Sequence, residues 1–135
     1  MKTRKTNSSK HVDDKVSNAL LDICREWVRS GGLDPDKMRT DEWNNLLFLC
    51  VYAWNMSFVS SDKHAHLLQK FAEAYKGVFD EEVIQSGVAN IEVMVKIKQR
   101  KFPDILKTID RYELNESKGQ FNLRVYSRDI VGFNK

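Results

Sequence analysis

From Asp13 onward, apolar residues recur at steps of three and four, which is the spacing of amphipathic helices. A first helix begins at Asp13 and ends at the glycine pair 31–32, since glycine readily adopts the backbone conformation that closes a helix. The apolar face of this helix comprises Val16, Ala19, Leu20, Ile23, Cys24, Trp27 and Val28. Asp34 followed by Pro35 is typical of a helix start and predicts a short helical turn to about Arg39.

Residues 41–59 differ from the first helix because they are apolar on nearly every side. The apolar positions are Trp43, Leu46, Leu47, Phe48, Leu49, Cys50, Val51, Tyr52, Ala53, Trp54, Met56 and Phe58. A soluble helix with this pattern is usually surrounded by other elements, so we place residues 41–59 at the centre of the fold. Trp27, Trp43 and Trp54 all fall in apolar helical stripes, and we expect them to pack in the core rather than to form a ligand-binding box.

Two more amphipathic helices follow the central one. The serine pair 60–61 can cap a third helix, residues 62–76, which stops at Gly77. Its apolar face comprises Ala65, Leu68, Phe71, Ala72 and Tyr75. A fourth helix, residues 81–101, starts after Asp80, and acidic residues in its first turn suit a helix N-terminus. Its apolar face comprises Ile84, Val88, Ile91, Val95 and Phe102.

The fourth helix has a competing interpretation. Within residues 90–98, apolar residues alternate with mostly polar ones, which is the period of a half-buried strand and indicates an α+β fold instead. We favour the helix because its apolar stripe extends beyond this window to Ile84 and Phe102. A helix leaves Val93 and Ile97 in need of a second contact surface.

The last third of the chain combines a short helix and a hairpin. Pro103 suits the first turn of a helix and predicts a short one there. The apolar residues of that helix are Ile105, Leu106, Ile109 and Tyr112. Segments 112–114 and 121–125 flank the polar, glycine-containing turn 115–120, which predicts a β-hairpin. The predicted fold class is therefore mainly α, a single helical domain around the central helix 41–59 with a C-terminal β-hairpin.

Length and composition fit one globular domain. The chain has 135 residues, of which 41% are hydrophobic and 30% are charged, unlike disordered, collagen-like or membrane chains. We find no internal repeat or linker, so residues 13–127 form the predicted domain, between a flexible basic tail at 1–12 and a frayed end at 128–135. The sequence has no run of about 18 apolar residues and no signal-peptide pattern, which predicts a cytoplasmic protein.

The formal net charge of +3 is unevenly distributed along the sequence. Residues 1–10 carry four Lys or Arg and no acid, residues 11–92 carry eight against fourteen acids, and residues 93–135 carry ten against five. Positive charge therefore lies at both ends. The densest basic segment, 96–111, contains six candidate binding residues, which are Lys96, Lys98, Arg100, Lys101, Lys107 and Arg111.

The acidic middle contains a second set of candidate binding residues, Asp80, Glu81 and Glu82. Carboxylates stabilise a helix N-terminus, and the same three side chains can meet a basic partner. The basic segment, by contrast, can neutralise phosphates. Its signal for nucleic acid is unspecific, because no recognition-helix or ribonucleoprotein motif accompanies it.

The sequence contains no assembled catalytic, metal-binding or cofactor motif. His64 and His66 are two residues apart on a predicted helix, so they diverge by about 200° and are poorly placed to share one metal ion. Residues 60–62 offer serine and aspartate, but these are the residue types that a helix N-cap requires, and no oxyanion motif accompanies them. Cys24 and Cys50 fall on apolar stripes, where reduced cysteine packs as a small hydrophobic residue.

These observations favour a non-enzymatic cytosolic protein that binds another protein. Within that class we expect a stoichiometric inhibitor of the bacterial immunity or antitoxin type, which needs only a stable scaffold and a complementary charged face. The alternatives are a nucleic-acid-binding regulator that uses the basic segment 96–111 and an enzyme with an unrecognised site. We predict no cofactor, no metal ion and no membrane contact.

Overall fold

The structure, a computed structural model, describes residues 13–117 and 120–130. Within these residues the fold is mainly α, with four α-helices followed by an antiparallel two-stranded hairpin, so the predicted fold class is confirmed. The elements are α1 (Asp14–Ser30), α2 (Thr40–Met56), α3 (His64–Ala74), α4 (Glu81–Lys101), β1 (Lys107–Ser117) and β2 (Gln120–Asp129). Single turns of 3-10 helix, Pro35–Lys37 and Ser61–Lys63, precede α2 and α3.

Helix α2 is the centre of the core, as its apolar pattern predicts. It packs against α1, α4 and β1. Its buried side chains are Trp43, Leu46, Leu47, Cys50, Ala53, Trp54 and Met56. Phe48, on the outward side of α2, is nevertheless 41% exposed. Helix α2 therefore contributes apolar side chains both to the core of the domain and to an exposed part of its surface.

Residues 90–98 lie in the middle of α4, so the alternative strand is wrong. The burial pattern has the helical period, because Ile91, Met94 and Val95 are buried together while Val93 is 45% exposed. A strand would have placed Val93 on the same face as Ile91. The second contact surface expected of a helix exists for Ile97, which is buried.

Short-range signals in the sequence set the helix ends. The Asp13 Oδ1 atom accepts a hydrogen bond of 3.1 Å from the Val16 N–H and caps α1. Asp34 Oδ1 does the same for the Asp36 N–H in the first 3-10 turn. Gly32, directly after the C-cap of α1, has a φ of +82°, a left-handed conformation that favours glycine over any residue with a Cβ atom. Gly77 has a similar φ of +86°, but it lies in the turn beyond Tyr75, the C-cap of α3.

The short helix predicted from Pro103 is wrong. Pro103 and Asp104 form a turn, and Ile105 and Leu106 are irregular up to Lys107, where β1 begins. A β-bulge at Asp110 adds one residue to β1. Ile109 and Tyr112 consequently both pack against the core although they are three positions apart. Two core-facing residues three positions apart are typical of a helix, but here the bulge in strand β1 produces this spacing.

The hairpin covers α2 with one strand and contacts α1 with the other. Near the end of α2, Trp54 Nε1 donates a hydrogen bond of 2.7 Å to the Lys107 carbonyl oxygen. Near the start of α2, the Tyr112 hydroxyl donates one of 3.2 Å to the Asn44 carbonyl oxygen. Strand β1 therefore runs antiparallel along α2.

The strands are longer than the sequence pattern predicts. Arg128 and Asp129 are paired with β1. The frayed C-terminus predicted for 128–135 therefore does not begin at residue 128. The predicted basic tail, 1–12, and the last residues, 131–135, lie outside the described residues.

Candidate functional site

The basic segment 96–111 is distributed over separate parts of the fold. Four of the six predicted binding residues lie on the last turns of α4, whereas Lys107 and Arg111 lie on β1. Lys96 is exposed. The other five differ in what surrounds them, and those surroundings determine how much charge each presents to a ligand.

Lys98 is buried, which corrects its prediction as a surface residue. It is 3% exposed, because it continues the inward stripe of α4 formed by Ile91, Met94 and Val95. Its Nζ atom lies over two aromatic rings, 5.0 Å from the ring centroid of Trp54 and 4.2 Å from that of Phe58. The same atom donates a hydrogen bond of 3.2 Å to the Ile105 carbonyl oxygen. Burial lowers the pKa of Lys98 to about 8.

Arg100 and Lys101 contact acidic residues of α1. Arg100 pairs with Glu26, and the Lys101 Nζ atom lies 3.1 Å from Asp22 Oδ2 and 3.2 Å from Glu26 Oε1. Although burial opposes ionisation of Glu26, hydrogen bonds from Lys101 and Arg100 lower its pKa. These two cations therefore connect α4 to α1 and are partly neutralised by that contact.

The two basic residues on β1 are also paired. Lys107 Nζ lies 2.8 Å from Asp13 Oδ2, and Arg111 Nη1 lies 2.7 Å from Glu113 Oε2. The guanidinium group of Arg111 also stacks on Tyr126, with 3.9 Å from its central carbon to the ring centroid. Four of the six predicted cations thus contact carboxylates, which reduces the positive charge available to phosphates.

The acidic run lies where α4 begins. Asp80 is the residue that precedes α4, and Glu81 Oε2 accepts a hydrogen bond of 2.9 Å from Gln85 Nε2. The Glu82 side chain makes no hydrogen bond or ion pair with any residue in 13–117 or 120–130. Glu82 instead lines a groove.

This groove, of about 850 Å³, lies between α2, α3 and the first half of α4. Its walls are mainly aromatic and apolar, and we call it the aromatic groove. The residues that define it are Phe48, Phe71, Tyr75, Phe79, Glu82 and Val83. The side chains of Asn45 and Asn90 add amide groups to its lining. Among the described residues that line the groove, Glu82 is the only one with a formal charge.

Tyr75 is the central ring of this groove. Its ring centroid lies 5.8 Å from that of Phe48, 5.1 Å from that of Phe71 and 5.7 Å from that of Phe79. Phe79 is 51% exposed and Val83 is 54% exposed. An exposed apolar patch of this kind on a folded domain usually marks a surface that binds a partner or ligand.

Two glycines shape the groove. The left-handed Gly77 lies in a turn in which the Tyr75 carbonyl oxygen accepts hydrogen bonds from the Val78 and Phe79 N–H groups, at 3.0 and 3.1 Å. This turn keeps Phe79 beside Tyr75. Gly87, inside α4, has no side chain, and a Cβ atom there would lie 3.6 Å from the Phe71 ring. The bottom of the groove therefore stays open.

A smaller apolar hollow of about 360 Å³ continues along α2. Phe48 and Tyr112 line both spaces, so the two are adjacent. The Tyr52 hydroxyl on this side donates a hydrogen bond of 3.0 Å to the Leu67 carbonyl oxygen, which holds α3 against α2. An apolar ligand that fills the aromatic groove can therefore extend along α2.

The sequence pattern does not predict the aromatic groove. It predicts core positions for Phe71 and Tyr75, of which Phe71 is buried and Tyr75 is partly buried, and it predicts only a helix end at Gly77. The one local signal is the pair Val78 and Phe79, two large apolar residues in a turn between helices, where polar residues are usual. The remaining walls come from α2 and α4, and only tertiary packing brings them together.

A third space, of about 620 Å³, lies between α1 and the connection from α4 to β1. Its lining mixes both signs of charge, with Lys15, Arg25 and Lys101 beside Asp22 and Asp104. Because Lys101 already pairs with Asp22, this space offers less selective chemistry than the aromatic groove.

The candidate nucleophiles and metal ligands occupy structural positions. Cys24 and Cys50 are free and buried, and burial raises the pKa of the Cys50 thiol well above its usual value. His64 Nε2 lies 2.8 Å from the Val59 carbonyl oxygen. In the part of the chain that the structure describes, no three His, Cys, Asp or Glu side chains are grouped so as to hold a metal ion.

No protein-family model matches the chain, and neither a curated protein nor a solved structure shows significant similarity to it. Among the residues that the structure describes, none of the helices combines the length and the apolar character needed to cross a bilayer.

Proposed function

We propose that this chain is a non-enzymatic cytosolic binding protein, a stoichiometric inhibitor of the bacterial immunity or antitoxin type, and that it contacts its protein partner through the aromatic groove. Such an inhibitor works by covering a surface of its target, so it needs a rigid scaffold and a concentrated patch of binding residues. The helical core around α2 supplies the scaffold.

The observation that supports this proposal most directly is the exposure of aromatic residues in the groove. Phe48 and Phe79 are 41% and 51% exposed, although most other large apolar side chains among the described residues are buried or partly buried. Aromatic side chains are enriched at the energetic centres of protein interfaces. Their position around one groove, rather than scattered over the surface, favours a single contact region.

The nucleic-acid alternative has less support in the structure. Lys98 is buried, and Arg100, Lys101, Lys107 and Arg111 contact carboxylates. Binding through the basic segment 96–111 predicts an affinity that falls steeply with salt. Titration of duplex DNA and of single-stranded RNA at two salt concentrations tests that alternative separately.

Site-specific photo-crosslinking in the native host tests the proposed contact. The photoreactive residue p-benzoylphenylalanine replaces Val83 at the groove in one variant and Val93, exposed on the same helix, in the matched control. We expect one protein to crosslink at position 83 and not at position 93. Equal crosslinking at both positions, or none at position 83, would contradict the proposal.

The crosslinked protein, once purified, allows the contact to be measured. We expect a one-to-one complex, weakened at least about tenfold by Phe79→Ser, because aromatic residues at an interface centre contribute strongly to binding, and less than about twofold by Val93→Ser, because Val93 does not line the groove. We also expect the wild-type chain, but not the Phe79→Ser variant, to suppress the activity of the partner. A complex in which the partner keeps its full activity would contradict inhibition.

A further inference from the structure

We infer that the aromatic groove is built for a partner segment that presents a cationic side chain, the guanidinium group of arginine or the ammonium group of lysine, next to an apolar one. This inference rests on the proposed function and names the chemistry of the partner. It depends on the charge of the groove walls and on the exposed aromatic rings described above.

The helices around the groove carry an uneven charge. Helix α2 contains no lysine or arginine, α4 contains none before Lys96, and α3 contains one lysine, Lys70, and one glutamate, Glu73. Lys76 lies in the turn after α3, but neither Lys70 nor Lys76 lines the groove. The groove itself is lined by one carboxylate, Glu82, with the acidic residues Asp80 and Glu81 directly before it in the chain. An anionic partner would be repelled here, whereas a cationic one is attracted.

Desolvation adds to this preference. A partner that fills the groove and covers Glu82 removes water from its carboxylate, which has no hydrogen bond or ion pair with another described side chain. A purely apolar partner would leave that charge without compensation, at a substantial cost. A guanidinium or ammonium group beside the apolar contact supplies the missing counter-charge.

The exposed rings favour the same ligand. A cation over the face of an aromatic ring is attracted by the electron density of that face. Two cations of the described residues make the same interaction, since Lys98 lies over Trp54 and Phe58 and Arg111 lies over Tyr126. In the groove, Tyr75 and Phe79 lie beside each other with Glu82 in the same lining, so one bound cation can contact both a ring face and a carboxylate.

Two peptides of matched shape test this inference on the full chain. In the first, three leucine–arginine pairs are separated by serine; in the second, citrulline replaces each arginine and removes the charge while keeping the shape. We expect the arginine peptide to bind at least about tenfold more tightly at low salt, measured by fluorescence anisotropy. The advantage of arginine should fall to about twofold or less in Glu82→Gln.

Control variants separate the site from general electrostatics. Glu92→Gln, which removes a carboxylate from an exposed position on the same helix, should keep the full advantage of arginine. Phe79→Ser should weaken both peptides. Circular dichroism melting curves should show that all variants remain folded at the temperature of the binding assay, because Phe79, Glu82 and Glu92 are exposed and lie outside the core.

The possible failures differ from those of the proposed function. If citrulline and arginine peptides bind equally and Phe79→Ser weakens both, the cationic preference is wrong while the groove remains a binding surface. If an uncharged partner crosslinks at position 83, the inference is also wrong. A dimer in sedimentation that Phe79→Ser dissociates, or a tenfold gain in peptide affinity on deleting residues 2–10, would assign the groove to a second copy or to the chain's own tail and overturn the inference.

Discussion

Asn55 and Ile109 exchange two hydrogen bonds. The Asn55 Nδ2–H group donates to the Ile109 carbonyl oxygen at 2.9 Å, and the Asn55 Oδ1 atom accepts from the Ile109 N–H at 2.8 Å. The amide of a helix residue thus pairs with the outer edge of β1 as a neighbouring strand would. This contact lies beside the bulge at Asp110 and fixes the end of α2 to the hairpin.

Replacing Asn55 by aspartate tests this contact. A carboxylate still accepts from the Ile109 N–H but cannot donate to the Ile109 carbonyl oxygen, which then lies opposite a second acceptor. We expect Asn55→Asp to lower the free energy of unfolding by about 1 to 3 kcal/mol. Urea denaturation measures the change. Asn45→Asp, at an exposed position on the same helix, should change it by less than about 0.5 kcal/mol.

Asp13 predicts a loss of stability in acid. Although burial opposes its ionisation, hydrogen bonds from Lys107, Ser127 and the Val16 N–H lower its pKa from the ordinary 3.8 to about 2. A group whose pKa is lower in the folded state stabilises the fold above its unfolded pKa and loses that contribution as the pH falls through its folded pKa.

The stability contributed by Asp13 should therefore be complete above about pH 4 and decline toward pH 2. We expect Asp13→Asn to lose about 2 kcal/mol at pH 7 and to show a correspondingly flatter decline between pH 4 and pH 2. Asp14→Asn, at an exposed position one residue further on, is the control. Equal acid sensitivity of the wild type and the Asp13→Asn variant would contradict this interpretation.

Lys98 predicts the opposite dependence, at alkaline pH. Burial lowers its pKa from 10.5 to about 8, so folding disfavours the protonated, charged form of Lys98. That cost is present in full below about pH 8 and disappears between pH 8 and pH 10.5, where the unfolded chain still binds the proton. The stability attributable to Lys98 should rise by about 3 kcal/mol across this interval.

The Lys98→Met variant isolates this effect from other titrating groups. Methionine keeps an unbranched apolar stem against Trp54 and Phe58 but has no charge. We expect the difference in unfolding free energy between the wild type and this variant to change in favour of the wild type from pH 7 to pH 10. Lys96→Met, at an exposed position on the same helix, should produce no such difference.

The two glycines beside the aromatic groove should respond in opposite directions to alanine. Gly77 has a φ of +86°, so Gly77→Ala should destabilise the fold by about 1 kcal/mol. Gly87 lies inside α4, and its new Cβ atom would make ordinary contacts of 3.6 and 3.7 Å with Phe71 and Leu49. Gly87→Ala should therefore stabilise the fold by about 0.5 to 1 kcal/mol. Thermal melting of the two variants measures both effects.

The helices were predictable because their signals are local. Capping by Asp13 and the turn at Gly77 act over three to five residues. The hairpin was only partly predictable, because the bulge at Asp110 gives Ile109 and Tyr112 the separation of a helical pair. The residues near Asp110 in the sequence do not predict this extra residue in β1, because the bulge depends on pairing with β2 and on the contact with the Asn55 amide.

The candidate site was less predictable than the fold. Lys98 belongs to a run of basic residues, which usually indicates a solvated face, but its position seven residues after Ile91 places it on the buried stripe of α4. The rings that stabilise it, Trp54 and Phe58, lie about forty residues earlier in the chain. The aromatic groove likewise needs three helices in their final arrangement, which periodicity alone does not specify.

The contact between Asp13 and Ser127, 2.8 Å from Oδ2 to Oγ, joins residues 114 positions apart. Together with the bond from the Asp13 N–H to the Val125 carbonyl oxygen, it anchors the first helix to the last strand. During synthesis, the start of α1 therefore cannot form these hydrogen bonds until β2 has left the ribosome. A ribosome-bound chain that ends before Leu123 should accordingly carry an N-terminal helix without this anchor.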